Sequence, residues 1–76
     1  MSPYYYLANA IIEQAVKDYR LALKRYKLDP EKEKNANEVA ELECFFTSAW
    51  FEQLSDLNGK SIMEMVREMI KTEVAA

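Results

Sequence analysis

The chain has 76 residues, half of them apolar, and a net charge of −3. This length supports one domain with its own core and excludes two. One glycine and two prolines, with abundant Glu, Lys, Ala, Leu and Met, favour helices over strands, because sheets need more turn residues. We therefore expect one all-α domain over residues 1–76, a small bundle of three or four helices with a long first helix.

The first predicted helix spans about residues 3–27. Ser2 is a favourable N-cap, and Pro3 suits the first helical position. At 3.6 residues per turn, one stripe of this helix is apolar and is expected to face the core. The stripe comprises Ala8, Ile12, Ala15, Tyr19, Ala22, Leu23 and Tyr26.

A second, thinner apolar row lies on the polar side of the same helix. We call it the leucine ridge, and it comprises Leu7, Ala10, Leu21 and Leu28. Three consecutive tyrosines precede it, and consecutive helical residues point about 100° apart, so their rings cannot all face one core. We expect self-association as a homodimer through this region. The candidate contact residues are Tyr4, Tyr6, Leu7, Ala10 and Leu21.

The charges are distributed unevenly along the chain. Residues 1–28 carry five basic and two acidic side chains, a balance of +3, whereas residues 29–76 carry five basic and eleven acidic ones, a balance of −6. Attraction between the two halves, within one fold or between subunits, is one interpretation. A basic face for an anionic partner is the other. Its candidate residues are Lys17, Arg20, Lys24 and Lys27.

Residues 28–37 interrupt the helical pattern. Residues 31–35 contain no apolar side chain, so we expect a solvated loop or a loose first turn there. The second helix is predicted over about residues 37–47, with Glu38, Glu41 and Glu43 facing away from the core. Its apolar stripe comprises Val39, Leu42, Phe46, Ala49 and Trp50.

The end of the second helix has two possible forms. Thr47 and Ser48 compete for backbone hydrogen bonds, which can end or kink a helix. The helix either continues through these residues, or Ser48 caps a short separate helix over about residues 49–54. The sequence leaves both alternatives open.

A turn at Asn58-Gly59 precedes the third predicted helix, over about residues 60–72. Asn58 can cap it, and so can Ser61 in a capping box with Glu64. The core stripe is expected to contain Ile62, Met65, Val66, Met69 and Ile70, and the solvent side Glu64, Arg67, Glu68 and Lys71. Residues 73–76 are expected to fray.

The sequence lacks the groups that common enzymes use. It contains no His, the commonest general base and zinc ligand. Cys44 has no His to activate it, and no glycine-rich loop could cradle a phosphate. Glu38, Glu41 and Glu43 form a solvated face, because di-iron bundles use a Glu-x-x-His motif. We expect a protein that is not an enzyme and binds no metal or cofactor.

Cysteine usage and hydropathy bear on the cellular compartment. A single cysteine cannot form an internal disulfide, which fits a reducing cytoplasm. Cys44 lies beside Glu43, whose charge disfavours the thiolate, and we expect a partly buried structural residue. No apolar run approaches the roughly 20 residues that span a bilayer, and residues 1–6 lack the basic start of a signal peptide. We expect a cytoplasmic protein with no membrane segment.

Two segments carry a resemblance to known proteins. Residues 11–20 read IIEQAVKDYR, and residues 43–54 read ECFFTSAWFEQL, followed by Leu57-Asn58-Gly59. This combination resembles small uncharacterised proteins carried by prophages and integrative elements of Gram-positive bacteria, and the matching segments span most of residues 11–70. The resemblance implies a host-cell cytoplasm and an accessory role in a mobile element. It assigns no functional residue.

Two functions are compatible with these features. The first is a non-enzymatic interaction or accessory protein of a phage or mobile element, a homodimer that could also bind a host or phage protein. The second is a nucleic-acid-associated regulator that uses the basic face of helix 1. The acidic overall charge and the glutamates of the third helix oppose phosphate binding, which makes nucleic acid the less favoured partner.

Overall fold

A computed structural model describes residues 3–54 and 56–75, with side chains described for residues 7–54 and 56–72. Within these ranges the chain is all-α, as predicted, and no strand occurs. The helices are α1 (Pro3–Leu28), α2 (Glu33–Phe46), α3 (Ala49–Leu54) and α4 (Gly59–Ala75). In the part of the chain that the structure describes, no helix is long and apolar enough to cross a membrane.

The long helix α1 supports the other helices. It packs against both α2 and α4. Arg25 contacts Glu38 while Tyr19, earlier in α1, contacts Glu43, later in α2. These two pairs show that α2 runs antiparallel to α1, as a short connection between neighbouring helices requires.

The core lies where α1, α2, α3 and α4 meet. Its most completely buried side chains are Tyr19, Phe46, Phe51, Val66 and Ile70. The rings of Phe46 and Phe51 lie 5.6 Å apart in an edge-to-face arrangement, and Tyr19 packs at the same distance from Phe46. Burying each such side chain contributes about 1.5–3 kcal/mol, so this cluster dominates the stability of the bundle.

The connection between α1 and α2 is shorter and more ordered than the sequence indicated. Helix α2 begins at Glu33, four residues before the predicted start. Asn35 is buried, and its amide Nδ2 donates to the carbonyl oxygens of Arg25 at 3.2 Å and Asp29 at 3.0 Å. Of the two expected forms, a solvated loop or a loose first turn, residues 33–35 adopt a first helical turn; residues 31–34 are exposed, and Asn35 satisfies the carbonyl groups at the end of α1.

The structure places a break at Thr47-Ser48, which decides between the two alternatives. Helix α2 ends at Phe46, and the Thr47 hydroxyl donates to the Glu43 carbonyl at 2.9 Å. The Ser48 Oγ accepts a hydrogen bond from the Phe51 amide at 3.1 Å, which is the geometry of an N-cap. Ser48 therefore caps α3, which begins at the next residue, Ala49.

Helix α4 starts in close contact with the end of α2. Asn58, not Ser61, caps it, because its Oδ1 accepts from the amides of Lys60 at 2.9 Å and Ser61 at 3.3 Å. Gly59 lies against the backbone of Phe46, where a Cβ would overlap the carbonyl oxygen. Helix α4 extends to Ala75, past its predicted end at about residue 72, and the fraying predicted for residues 73–76 stays a prediction. Ala76 lies outside the described residues.

Some residues predicted for the core stripes are exposed. Trp50 and Ala49 lie at the surface and Phe51 is buried, because the break after Phe46 restarts the helix in a different phase. In α4, Met63 is buried, whereas Met65 and Met69, which were predicted for the core, are exposed. The close contact of Gly59 with the backbone of Phe46 fixes the rotation of this helix about its axis. The other stripe residue found substantially exposed is Tyr26.

Candidate functional site

Three polar side chains from three helices meet at the edge of the core. The Tyr19 hydroxyl of α1 donates to Glu43 Oε2 of α2 at 2.7 Å. Arg67 of α4 donates from Nη2 to the same Oε2 at 2.6 Å and from Nε to the Tyr19 hydroxyl oxygen at 3.1 Å. Each group therefore bonds both others, and the cluster joins α1, α2 and α4.

The charges of this cluster are fixed near neutral pH. Burial, followed by the hydrogen bond to Glu43, raises the pKa of Tyr19 to about 12. Burial alone would raise the pKa of Glu43, but the hydrogen bonds from Arg67 and Tyr19 outweigh it and lower that pKa. The hydrogen bonds to Glu43 and Tyr19 raise the pKa of Arg67. A neutral phenol, a carboxylate and a guanidinium result, an arrangement suited to a structural link between helices.

Glu43 was expected to face away from the core but is half-buried, whereas Arg67 is exposed, as predicted, and still contacts Tyr19 and Glu43. Each lies at the edge of its helix's buried stripe, where a long side chain can turn toward the core. One signal in the sequence pointed to them. Tyr19 falls in the middle of an apolar stripe, and a buried tyrosine hydroxyl normally has a hydrogen-bond partner. The sequence alone did not identify which residue supplies it.

Cys44 also differs from its predicted position. It is exposed, whereas a partly buried residue was expected. Glu43 turns toward Tyr19 and Arg67, and Phe46 occupies the core. At about 100° per residue, Cys44 lies about 100° from Glu43 and about 160° from Phe46 around the helix, and it therefore points away from the bundle.

The leucine ridge lies on the surface of the bundle. Leu7, Leu21 and Leu28 are 60%, 49% and 80% exposed, and Ala10 is exposed as well. The three leucines fall at multiples of seven residues, and the exposed Gln14 occupies the remaining position of that series. The side chains of Tyr4 and Tyr6, the other two candidates for self-association, lie outside the described residues. The structure therefore brings the ridge residues together on one face of α1.

The two sides of the leucine ridge differ in charge. On one side, a groove of about 370 Å³ separates α1 from α2. Its acidic members are Asp18, Glu38 and Glu41, and Arg25 lies among them, 3.4 Å from Glu38. On the other side lie Lys17, Lys24 and, one turn before Lys17, Glu13, by their helical spacing, so that side is basic on balance. The ridge thus has one acidic and one basic flank.

The predicted basic face is less continuous than the sequence indicated. Lys17 and Lys27 are exposed, whereas Arg20 and Lys24 are half-buried. A face that binds phosphates needs several accessible cations in a row. Of the four predicted residues, only Lys17 and Lys27, at the two ends of this face, are exposed.

The described residues include no group of three or more His, Cys, Asp or Glu side chains that could hold a metal ion. Comparison with protein-family models, with curated proteins and with solved structures found no match to the chain. Its function is therefore inferred from the geometry of the described residues.

Proposed function

We propose that this protein is a non-enzymatic interaction protein that forms a homodimer through the leucine ridge of α1. It acts in the cytoplasm as an accessory protein of a phage or mobile element. The observation that carries the proposal is the exposure of Leu7, Leu21 and Leu28 on one face of a 26-residue helix.

The spacing of these leucines supports a helix as the partner. Residues seven positions apart lie nearly in line along a helix, and this seam is apolar at Leu7, Leu21 and Leu28 and polar at Gln14. From Leu7 to Leu28 the seam runs about 32 Å at 1.5 Å per residue. Single exposed leucines are ordinary on protein surfaces, but three in line on one helix give a second helix apolar side chains to pack against.

The small size of the chain supports the same proposal. A domain of this length buries only about 60% of the surface of its unfolded chain and has a correspondingly modest stability. Association of two copies adds buried apolar surface and raises the apparent stability by mass action. A homodimer would therefore add to the stability of the single bundle.

The accessory role is supported by chemistry and by the sequence resemblance. The polar cluster of Tyr19, Glu43 and Arg67 joins helices and holds its protonation states near neutral pH. The segments at residues 11–20 and 43–54 resemble prophage and integrative-element proteins. A small interaction protein that modulates a host or phage protein is consistent with both features.

Size-exclusion chromatography with light scattering tests the dimer. The wild-type chain is expected to have twice the 8.9 kDa monomer mass, and Leu21→Glu is expected to be monomeric because it places a charge in the seam. Met65→Glu on α4 is the matched control, since Met65 is similarly exposed at 55% and lies outside the ridge. A monomeric wild type at high concentration would refute the proposal.

The alternative function, nucleic-acid binding through Lys17, Arg20, Lys24 and Lys27, makes a separate prediction. Phosphate contacts by lysine and arginine weaken steeply as salt rises. Titration of a fluorescent duplex at low salt distinguishes the two functions. Binding that is lost on Lys17→Glu substitution would favour the nucleic-acid regulator, and no binding at low salt would eliminate it.

A further inference from the structure

The charges beside the leucine ridge constrain how two copies can pair. The acidic flank combines Asp18 of α1 with Glu38 and Glu41 of α2 around one groove; Arg25 lies in the same groove and pairs with Glu38, which leaves a net negative charge. The basic flank carries Lys17 and Lys24. When a second copy docks on the ridge, each of its two flanks must lie against either the acidic or the basic flank of the first copy.

Symmetry links the direction of the helices to the flanks that meet. A two-fold axis parallel to the helices makes the pair parallel and exchanges the flanks, so each basic flank faces an acidic one. A two-fold axis perpendicular to the plane of the two helices makes the pair antiparallel. Basic then faces basic, and acidic faces acidic. Like charges across an interface oppose binding, and opposite charges favour it.

We infer that two copies pair through the leucine ridges of parallel α1 helices, with the basic flank of each seated beside the acidic α1–α2 groove of the other. This inference rests on the proposed function and adds the direction, the register and the electrostatic contacts of the interface. Leu21 of each copy then faces Leu21 of the other, and Gln14 faces Gln14.

The positions of the acidic and basic side chains along the axis of α1 agree with a parallel pair. Glu38 lies beside Arg25, and Glu41 shares the groove with Leu21, so both glutamates stand at the level of residues 21–25. Asp18, which lines the same groove, stands at the level of Lys17 of a parallel partner, and both side chains are exposed. The Lys17 ammonium of each copy would then meet the Asp18 carboxylate of the other.

Disulfide trapping tests the direction of the pair. In a Cys44→Ser background, which removes the exposed native cysteine, the variants Gln14→Cys and Leu21→Cys are each oxidised in a glutathione buffer. In a parallel pair both positions meet their own counterparts, within the 4.4–6.8 Å between Cα atoms that a disulfide allows. Both variants are therefore expected to form covalent dimers.

The other outcomes of this experiment separate the inference from the proposed function. In an antiparallel pair, only a residue at the two-fold axis lies opposite the same residue of the partner, so at most one of positions 14 and 21 can crosslink with its own counterpart. A dimer in which one variant alone crosslinks, or in which only a mixture of Gln14→Cys and Leu21→Cys crosslinks, overturns the parallel pairing and leaves the ridge dimer standing. A monomer, or a dimer in which no combination crosslinks, overturns both.

Charge reversal tests the contact between the flanks. Lys17→Glu and Asp18→Lys are each expected to raise the dimer dissociation constant about tenfold, because each substitution acts twice in a symmetric pair. The double variant with both substitutions restores the attraction and is expected to return to within about threefold of wild type. Glu64→Lys on α4 is the control for net charge. Failure of the double variant to recover affinity would contradict the proposed contact.

Discussion

The guanidinium of Arg67 lies 2.6 Å from the carboxylate of Glu43, a residue 24 positions earlier in the chain, and both bond to the buried hydroxyl of Tyr19. The cluster fixes the positions of α1, α2 and α4 relative to one another. Helices in an apolar core can slide past one another at little cost, but three directional hydrogen bonds do not allow such a shift. The helix that carries the ridge is thereby held to α2 and α4.

Removal of the Tyr19 hydroxyl tests the contribution of this cluster. Tyr19→Phe keeps the ring against Phe46 and leaves Glu43 and Arg67 bonded to each other. We expect a loss of about 1–2 kcal/mol in the free energy of unfolding, measured by urea denaturation at a concentration where the oligomeric state is known. Tyr26→Phe, which changes a partly exposed tyrosine, should cost less than half as much. Equal effects of the two substitutions would contradict the cluster's role.

The Glu43 carboxylate should contribute stability only above a low pH. Its pKa is lowered in the folded protein, so its contribution is present above the ordinary glutamate pKa and is lost as the pH falls through the lower, folded value. Glu43→Gln is expected to be about 1 kcal/mol less stable than wild type at neutral pH. This difference should shrink in acid, as measured by thermal or urea unfolding. A difference independent of pH would indicate that charge plays no part.

The stability that the Tyr19 phenol contributes should instead be lost at alkaline pH. Its pKa is raised to about 12 in the folded state from an ordinary value of 10.0, so its stabilising effect is complete below pH 10 and declines as the pH rises toward 12. Ultraviolet titration of tyrosinate should show a late ionisation step near pH 12 from Tyr19. Tyr19→Phe should abolish that late step, and its persistence would place the shift on another residue.

Asn35 offers a test of the α1–α2 connection. Its Nδ2 donates to two carbonyl oxygens, so Asn35→Asp keeps the shape but replaces the donor with a charge that faces two acceptors. We expect a loss of about 2–3 kcal/mol for Asn35→Asp, and a smaller one for Asn35→Ala. The neighbouring, exposed Asn37→Asp is the control. Greater stability of the aspartate than of the alanine variant would show that the two hydrogen bonds are unimportant.

Gly59 should respond to alanine against the usual trend for helices. Alanine normally stabilises a helical position by about 0.5–1 kcal/mol relative to glycine. Here its Cβ would collide with the carbonyl oxygen of Phe46, and we expect Gly59→Ala to lose about 1–3 kcal/mol of unfolding free energy. Ser61→Ala, at an exposed position of the same turn, should be nearly neutral. A stabilising Gly59→Ala would mean that α4 can move away from α2 at little cost.

Helix periodicity predicted the fold class and most of α1, because a long amphipathic pattern is a strong signal and its buried stripe includes Tyr19 and Ala22. Periodicity failed where local capping decided the phase. The serine at position 48 restarted the helix, so Phe51 entered the core in place of Trp50. Such a change in which face of the helix is buried depends on one capping hydrogen bond, which the apolar pattern of the sequence does not predict.

The polar cluster was predictable only in part. The burial of Tyr19 followed from its stripe, but its partners Glu43 and Arg67 come from distant segments and were placed in solvent. Their pairing depends on how α2 and α4 rotate about their axes, which the close contact between Gly59 and Phe46 helps to set. The exposure of Leu7, Leu21 and Leu28 was predictable because the ridge lies opposite the buried stripe of α1.

The central claim, that the leucine ridge joins two copies of this chain, is tested most directly by the molar mass of the wild-type protein in light scattering over a range of concentrations. We predict a mass of twice 8.9 kDa for the wild type and for Met65→Glu, and the monomer mass for Leu21→Glu. A wild-type protein that stays monomeric at every concentration, or a Leu21→Glu variant that dimerises as the wild type does, would contradict the claim.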